Sequence, residues 1–360
     1  MKARVIAFYL PQYHPTIDND IWWGKGFTEW TNVGKAKPLF RGHWQPKIPA
    51  DLGYYDLRLS QIREEQAALA RDSGIEGFCY YHYWFGNKRQ QLELPFSEVV
   101  RSGAPDFPFC LCWANESWHQ KFWKIDNSVT KKMLIEQKYD NVDGNKEHFF
   151  HLLPAFKDPR YITVDGKLLF CIYKPLEFKN IDVFIQQWNE LAVENGLKGF
   201  YFVGQTYHSE DISKIKSLGL NAVNIVRLFD YYESLSSIER KLKQLFRYVM
   251  KRPLVTQYNA TAKYFVGSEE REQDIFPTII PNWDHTPRSG KGGYVINNST
   301  PILFQEHVKN VFKTIEQKPD EYKITFLKSW NEWGEGNYME PDIRWGRSYL
   351  DALKNVFSAY

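Results

Sequence analysis

Two glutamates near the C-terminus have the type and spacing of a catalytic pair. Glu332 and Glu335 lie three residues apart in the segment WNEWGEG, which begins at Trp330. Cleavage of a glycosidic bond uses two carboxyl groups that flank the bond, one of which protonates the leaving oxygen. Gly334 allows a tight bend between them, and the neighbouring indoles, including Trp333, would exclude water. Desolvation and a nearby carboxylate both raise a carboxyl pKa, so the segment predicts one general acid and one ionised partner.

The same spacing also fits a structural pair. Glu332 and Glu335 could cap the final helix or form salt bridges with Arg344 and Arg347, and spacing alone does not decide between these interpretations. Glu116 is a third candidate carboxylate, held between an asparagine and a serine with tryptophans close by. A structural role as an acceptor for loop amides suits Glu116 equally well.

Aromatic, amide and carboxylate side chains also follow most of the apolar runs of the chain. One polar residue after a strand is ordinary, because a loop must satisfy its backbone. A polar and aromatic set at many strand ends instead predicts a collective site for sugar rings, whose C–H faces suit aromatic platforms. The candidate substrate-binding residues are Tyr9, Gln12, Tyr13, His14, Trp30, Tyr81, His82, Trp113, Asn115, Glu116, Trp118, Tyr173, Gln205, Asn282, Trp283, Asp284, Trp330, Asn331 and Trp333.

The histidines of these loops do not have the spacing of a metal site. His14, His82, His119 and His285 lie in separate loops, and no HxH or HExxH pattern occurs. We expect them to hydrogen-bond sugar hydroxyls or to pack against tryptophan. The sequence therefore predicts no metal and no cofactor.

Short apolar runs alternate with amphipathic stretches along the whole chain. The runs are continuous, as strands buried on both faces require. Eight such strands, each followed by a helix or a long connection, predict a (β/α)8 TIM barrel, whose chemistry gathers at the C-terminal strand ends. An open doubly wound sheet is the alternative, but no Gly-rich phosphate loop follows the first run. The predicted strands are Arg4–Leu10, Gly77–Tyr81, Phe107–Trp113, Leu168–Tyr173, Gly199–Val203, Asn221–Ile225, Phe276–Pro281 and Ile324–Ser329.

Helix signals separate these runs. One apolar stripe begins at Phe184 and is followed by Gly196 as a stop. A second helix opens with Thr300 as N-cap and proline in the first turn. In a third, Leu59 and its helical-spacing neighbours are expected to face the core.

We predict one domain over residues 1–360, with long loops over the C-terminal face of the barrel. The loops fall at about Pro11–Asp51, Ala114–Asp165 and Asp230–Asp274. The aromatic-rich segment Trp22–Asn32 is interpreted as an ordered loop folded over the barrel mouth. Its Glu29 would either reach the site or stabilise the loop.

The composition limits the classes of binding partner that we expect. The chain has 360 residues, 25% of them charged, with a net charge of +3 and scattered basic residues, so no nucleic-acid partner is expected. The aromatic fraction of 17% favours a carbohydrate ligand. One basic cluster runs from Arg240 to Arg252, and a solvated helix face explains it more economically than an anion or membrane-surface site.

The cysteines and the hydropathy bear on the compartment. Cys79, Cys110, Cys112 and Cys171 fall inside predicted strands, where free cysteine behaves as a small buried hydrophobe. The N-terminal apolar run is stopped by Pro11, and no stretch approaches the ~18 apolar residues of a membrane span. We expect a cytoplasmic protein with no integral membrane segment, and its oligomeric state stays open.

Several long segments resemble one known family. The segments FYLPQYHP (from Phe8), WWGKGFTEWTNV (from Trp22), GFCYYHYWF (from Gly77), FPFCLCWANESW (from Phe107) and WNEWGEG resemble the WbsX family, a family of glycosyltransferases of lipopolysaccharide and O-antigen assembly. The resemblance extends from Phe8 to about residue 340. The WbsX family is in turn related to glycoside hydrolase family 99.

The relationship to family 99 implies a mechanism. Members of that family are retaining endo-α-mannosidases or endomannanases on a metal-free (β/α)8 barrel, with two carboxylates three residues apart after the last strand. The resemblance implies that Glu332 acts as a base on the sugar 2-hydroxyl, giving a 1,2-anhydro intermediate, and that Glu335 acts as general acid and base. Because WNEWGEG is the WbsX form of the motif, the mannose specificity does not carry over.

Three functions remain in competition. A retaining glycoside hydrolase or transglycosidase is favoured by the glutamate pair and by the relationship to family 99. A glycosyltransferase of polysaccharide assembly is favoured by the family, although the chain has neither an Asp-x-Asp motif nor a Rossmann pattern. A non-catalytic glycan-binding domain would fit the aromatic content but would not require two carboxylates at one strand end.

Overall fold

Parallel strands form the barrel that the apolar runs predict. The computed structural model describes residues 3–123, 129–139 and 141–359. Each predicted run overlaps an observed strand, and their ends differ by up to three residues. The barrel strands are β1 (Arg4–Tyr9), β2 (Gly77–Trp84), β3 (Phe109–Trp113), β4 (Lys167–Ile172), β5 (Phe200–Thr206), β6 (Ala222–Ile225), β7 (Ile275–Phe276 with Thr278–Ile279) and β8 (Ile324–Leu327). The predicted α/β barrel class is confirmed.

The sheet closes through a broken strand. Neighbouring barrel strands pair in parallel from β8 through β1 and on to β6. Pro277 divides β7, because proline has no N–H to donate to a ladder. The piece before it pairs with β6 and the piece after it pairs with β8. The carbonyl of Pro277 accepts from the backbone N–H of Phe326 at 3.0 Å, which ties the break to β8.

Helices cover the barrel and the loops above it. They are α1 (Ile17–Trp23), α2 (Glu29–Gly34), α3 (Ser60–Asp72), α4 (Leu94–Ser102), α5 (Val142–Phe156), α6 (Ile181–Glu194), α7 (Ile212–Ser217), α8 (Asp230–Ser234), α9 (Ser237–Val249), α10 (Tyr258–Thr261), α11 (Thr286–Ser289), α12 (Pro301–Ile315) and α13 (Ser348–Ala359). Single 3-10 turns lie at Pro175–Glu177, Ser209–Asp211, Ala262–Tyr264, Glu269–Arg271, Gly290–Gly292, Asp320–Tyr322 and Trp333–Glu335. No helix among these described residues is long and apolar enough to cross a bilayer.

The local signals explain several helix ends. Thr300 caps α12 by accepting from the backbone N–H of Leu303 at 3.3 Å, as the sequence predicts. The stripe of α6 ends before Gly196, also as predicted. Leu59 was expected to face the core, but it is the N-cap position of α3 and is 54% exposed. That prediction is wrong because the residue precedes the first helical turn.

The long connections contain structure of their own. The expected loop at 22–32 forms parts of α1 and α2. The excursion at 114–165 includes residues 124–128 and 140, which lie outside the described residues. Short strands outside the barrel lie at Gln90–Gln91, Trp118–Trp123, Val129–Ile135, Thr163–Val164, Leu254–Gln257, Trp283–Asp284, Tyr294–Asn297, Asn331–Glu332 and Asn337–Tyr338.

Strand alternation decides which side chains enter the barrel. Successive side chains of a strand point to opposite faces. The ring of Tyr81 stacks on Phe8 with 5.4 Å between centroids, inside the barrel, whereas His82 bonds His148 of α5 at 2.8 Å. The four cysteines are free and buried, as predicted, and Cys79 pairs in register with Cys110 on the neighbouring strand.

Candidate active site

The turn that carries both candidate glutamates follows β8 directly. Asn331–Glu332 forms a short antiparallel ladder with Asn337–Tyr338, and Trp333–Glu335 is a single 3-10 turn. The turn ends at Gly336 with a φ of +54°, in the left-handed region that favours glycine. The sequence assigned the flexible position to Gly334, but the positive φ lies at Gly336.

Glycine is needed at position 334 for a different reason, because side chains of neighbouring loops approach its backbone closely. A Cβ at this position would collide with Oε2 of Glu29 and would lie 3.0 Å from Nε of Arg288. Glu29 is the first residue of α2, and Arg288 belongs to α11. The missing side chain therefore lets two loop helices meet the turn.

Arg288 joins three carboxylates at this point. Its Nη1 donates to Oε1 of Glu335 at 2.6 Å and to Oε1 of Glu332 at 3.1 Å, and its Nε donates to Oε2 of Glu29 at 3.0 Å. The same nitrogen of Arg288 bonds both carboxylates. The distance between the Oε1 atoms of Glu332 and Glu335 therefore cannot exceed the sum of these two hydrogen-bond lengths. Nε2 of His285 lies 3.6 Å from Oε1 of Glu335.

Burial and charge set the electrostatics of the pair. Glu332 is buried at 6% exposure, and the side chain of Glu335 keeps 15%. Burial raises the pKa of Glu332 and the neighbouring Glu335 raises it further, while Arg288 and Lys328 act in the opposite sense. Burial would lower the pKa of Lys328, but Tyr207 and the two glutamates outweigh it and the pKa is raised. The cations Arg288 and Lys328 thus act on a pair of carboxylates of which Glu332 is buried and Glu335 partly exposed.

Inward-facing tyrosines line the same space. Burial raises the pKa of Tyr81 and of Tyr83, and the charge of Glu332 raises both further, which shows that it lies close to each. Tyr207 lies near both Tyr173 and Lys328, since it raises the pKa of each. The set gives hydroxyl groups and ring faces beside the carboxylates, an arrangement that suits a polyhydroxylated ring.

Several predicted site residues instead hold the turn in place. Asn331 pairs with the backbone of Leu10 through its side-chain oxygen at 2.8 Å and its nitrogen at 3.0 Å. The hydroxyl of Tyr13 donates to the carbonyl of Asn331 at 2.6 Å and accepts from the N–H of Trp333 at 3.1 Å. These bonds fix the main chain on both sides of Glu332.

The aromatic residues around the turn are packed rather than open. Trp333 is fully buried and stacks on Tyr338 with 3.7 Å between ring centroids. Trp30 donates from its indole to the carbonyl of Tyr55 at 2.8 Å and packs against Trp333 at 5.6 Å. Trp330 is also fully buried and packs against Phe78 at 5.4 Å, towards the helix layer.

Strand alternation turns other predicted residues away from the interior. Tyr9 donates to the side chain of Gln66 in α3 at 2.7 Å. His82 faces α5, and burial lowers its pKa to about 3. Trp113 packs on Phe184 of α6 with ring centroids 5.5 Å apart. The structure therefore does not bring Tyr9, His82 or Trp113 to the glutamates.

The end of β7 contributes one residue to the site and others to its frame. Trp283 lies under Nζ of Lys328, 5.7 Å from its ring centroid. Asp284 is buried and accepts from Gln45 at 2.6 Å, with Nε2 of His43 at 2.8 Å. Asn282 lines a small cavity of about 100 Å³ behind these residues.

The remaining predicted residues lie around the mouth or beneath it. Glu116 keeps 40% of its side chain exposed and forms a salt bridge with Lys174 at 3.0 Å. Trp118 meets Tyr83 edge to face, with 5.1 Å between centroids. Gln12 is half-buried, and its backbone carbonyl accepts from the N–H of Glu29. His14 is buried, and Asn115 accepts from the backbone N–H of Lys174. Gln205 is buried and donates to Asn224.

Sequence reasoning missed the cations of the site. Arg288 stands four residues beyond Asp284, so it belonged to the strand-end set but was not selected. Lys328 stands in an apolar strand run, and an unexplained lysine there was a usable signal, because buried lysines need partners. Tyr207 lies two residues after Gln205, and alternate residues of a strand point to the same face, so this spacing could have identified Tyr207.

The comparisons with known proteins begin with solved structures. The fold resembles the family 99 endo-α-mannosidase of Bacteroides thetaiotaomicron, with a TM-score of 0.55, 13% identity, and coverage of 99% of this chain and 96% of that one. A glycoside hydrolase-like protein matches with a TM-score of 0.61 and 15% identity, over 99% of this chain and 94% of that chain. At such identities these matches show a shared fold.

The sequence comparisons are more specific. Uncharacterised WxcX proteins from two strains of Xanthomonas campestris pv. campestris are 32% identical to this chain over 361 aligned residues. The alignment covers 99% of this chain and 50% of those proteins, so the chain spans about half the length of the curated relatives it matches. The profile of the family described as glycosyltransferase WbsX matches residues 5–353. With nearly its whole length inside that match, the chain belongs to the WbsX family.

Proposed function

We propose that this chain is a carbohydrate-active enzyme that works on a glycosidic bond with Glu332 and Glu335 as its catalytic pair. One observation carries the proposal, namely the convergence of both carboxylates on Arg288 at the C-terminal end of the barrel. This end of a (β/α)8 barrel is where catalytic side chains gather. A pair that only capped the final helix would not converge on one arginine, and the salt bridges of Glu332 and Glu335 run to Arg288 rather than to Arg344 or Arg347.

The spacing of the carboxylates favours retention of configuration. Inverting glycosidases hold their carboxyl groups about 6.5–9.5 Å apart to admit a water, whereas retaining enzymes hold them about 5–5.5 Å apart. The shared Arg288 nitrogen, 2.6 Å from Glu335 and 3.1 Å from Glu332, draws the facing oxygens together and leaves less room for a water between the carboxyl groups. We therefore favour a retaining hydrolase or transglycosidase.

The two glutamates would divide the chemistry. Glu332 would take the proton of the sugar 2-hydroxyl, whose oxygen attacks C1 as the bond from C1 to the leaving oxygen breaks. Glu335 would give its proton to that leaving oxygen, which leaves a 1,2-anhydro sugar. A water or a sugar hydroxyl, deprotonated by Glu335, would then open the ring at C1, and Glu332 would return its proton to O2. This division follows the resemblance to family 99, and Glu335 is the more exposed of the two, so an incoming water or sugar hydroxyl could reach it.

A glycosyltransferase is the second candidate. The description of the matching family favours it. In that case the same cations, Arg288 and Lys328, would face a sugar donor rather than a glycan to be cleaved.

The deciding experiment compares two kinds of substrate. The purified chain is incubated with α-linked mannan or rhamnan oligosaccharides, and separately with nucleotide-sugar donors and acceptor glycans. Products formed without a nucleotide sugar support the proposal, and transfer that depends on one would overturn it in favour of the second candidate. Glu335→Gln serves as the inactive variant and Glu194→Gln, an exposed glutamate of α6, as the matched control.

A further inference from the structure

Helix α9 presents an uncovered apolar stripe to solvent. Ile238, Leu242, Leu245, Phe246 and Val249 recur at helical spacing, so they share one face. Their exposures are 72%, 59%, 58%, 48% and 64%. A stripe of this kind normally faces a core, and within the described part of the chain no residue of α9 is buried. The helix is therefore built to lie against something else.

Lys241 lies beside the stripe at helical spacing, and α9 and its C-terminal end are rich in further basic residues. From residue 237 to residue 252 the chain has Arg240, Lys241, Lys243, Arg247, Lys251 and Arg252, against the single acid Glu239. Glu239 is occupied in the capping box with Ser236. Nη2 of Arg247 donates to the carbonyl of Gly292 at 3.0 Å, and Arg252 lies over the ring of Phe246 at 4.3 Å. Neither contact neutralises the charge.

We propose that α9 docks this protein on an anionic lipid bilayer. An exposed apolar face bordered by lysine and arginine is the pattern of helices that lie in the membrane interface, where the apolar side chains enter the headgroup boundary and the cations meet anionic lipids. A second copy of the chain is a poorer occupant, because two such faces would bring like charges together. The sequence alone favoured a solvated basic face, and the exposed apolar stripe changes that balance.

The position of α9 sets the orientation of the docked barrel. Gly292, which Arg247 holds, closely follows α11, and α11 carries Arg288. The strand Leu254–Gln257 that follows α9 pairs with Tyr294–Asn297, just beyond α11. Docking through α9 would therefore hold the mouth of the barrel beside the bilayer surface.

Vesicle binding of the full chain tests the proposal without any substrate. We expect cosedimentation with phosphatidylcholine vesicles that contain phosphatidylglycerol, weaker binding at raised ionic strength, and little binding to phosphatidylcholine alone. The double variant Leu242→Gln with Leu245→Gln should lower the partition coefficient at least about tenfold. Lys241→Gln with Lys243→Gln should lower it roughly fivefold for each charge removed.

Matched changes at the opposite end of the barrel separate docking from general surface effects. Val193→Gln replaces an equally exposed apolar residue near the end of α6, and Lys313→Gln removes a charge near the end of α12. Both should bind vesicles like the unaltered chain, and circular dichroism should show all variants folded. Absence of binding to anionic vesicles, or equal binding by the α9 variants, would overturn the proposal. So would a dimer that Leu242→Gln with Leu245→Gln dissociates, because the stripe would then be a contact between copies.

Discussion

The segment after β8 carries two carboxyl clusters that differ in their partners. Glu332 and Glu335 meet the cation Arg288 and keep a path to solvent. Glu340, a few residues on, is fully enclosed and meets neutral donors. Its oxygens accept from the indole of Trp333 at 2.6 Å, the amide of Gln66 at 2.6 Å and the hydroxyl of Tyr55 at 3.0 Å.

The difference in partners distinguishes a cluster suited to catalysis from one that stabilises the fold. Burial raises the pKa of Glu340 to about 7 against the lowering effect of its hydrogen bonds, which come from neutral donors. A carboxyl group held this way links α3, the loop that carries Tyr55 and the turn, but it cannot reach a ligand. Glu332 is also buried, yet Arg288 and Lys328 keep a charged form accessible. The partner set, rather than burial, distinguishes the two clusters.

The largest effects should come from the glutamates that face Arg288. Glu332→Gln and Glu335→Gln should each lower kcat/KM by roughly 10²–10⁴, because each removes a positioned acid or base. With an aryl glycoside, whose leaving group needs no proton, Glu335→Gln should recover much of its bond-cleavage rate and Glu332→Gln should not. Steady-state kinetics on both substrates measure this. Full activity in both variants would make this cluster structural like that of Glu340.

Arg288→Gln should produce the next largest loss. It leaves Glu29, Glu332 and Glu335 facing each other without their shared cation, and we expect kcat/KM to fall by roughly 10²–10³. Because Arg288 lowers the pKa of Glu332, its removal should raise that pKa. If Glu332 acts as a base, the acidic limb of the pH–rate profile should move to higher pH.

The conservative variant separates charge from geometry. Arg288→Lys keeps the charge but cannot bridge three carboxylates, so it should restore the position of the acidic limb more than the rate. An unchanged acidic limb in Arg288→Gln would contradict the electrostatic role of Arg288.

Gly334→Ala tests how closely α2 approaches the turn. The added methyl group would displace Glu29 and crowd Arg288, and a displacement near 1 Å costs about 10²-fold when it misaligns reacting groups. We expect a loss of roughly 10- to 100-fold in kcat with less change in thermal stability. Gly34→Ala is the matched control, because its Cβ would meet no atom within 4 Å. Equal kinetics for both variants would show that the contact between Glu29 and Arg288 has no catalytic consequence.

The sequence predicted the frame of the site better than its contents. Continuous apolar runs are strong signals for buried parallel strands, so the barrel and the place of the glutamate turn followed from them. Tyr9, His82 and Trp113 were selected by position after a strand, although counting alternate residues turns each of them outward. Arg288 reaches Glu332 and Glu335 across 44 and 47 positions of sequence, and Glu340 depends on Gln66 in α3. No local pattern encodes such long-range pairings.

The smallest effect on activity, and a distinct effect on stability, should come from Glu340→Gln. The pKa of Glu340 is about 7 in the folded chain and near 4.5 when unfolded, so folding favours its protonated form. The stabilising contribution of that form is complete below pH 4.5 and is lost as the pH rises through 7. Relative to Glu340→Gln, which does not titrate, the unaltered chain should therefore lose about 3 kcal/mol of unfolding free energy across this window.

Urea unfolding at several pH values between 5 and 8 measures this difference, since every other titrating group is common to both proteins and cancels. At pH 5 the two should differ by no more than about 1–3 kcal/mol, the cost of one poorly matched buried hydrogen bond. As the pH rises, the difference should shift steadily in favour of Glu340→Gln, while kcat/KM changes only a few-fold. Glu194→Gln should show no such pH dependence. A constant difference between Glu340→Gln and the unaltered chain would mean that Glu340 stays ionised throughout, and that the two clusters differ less than their partners indicate.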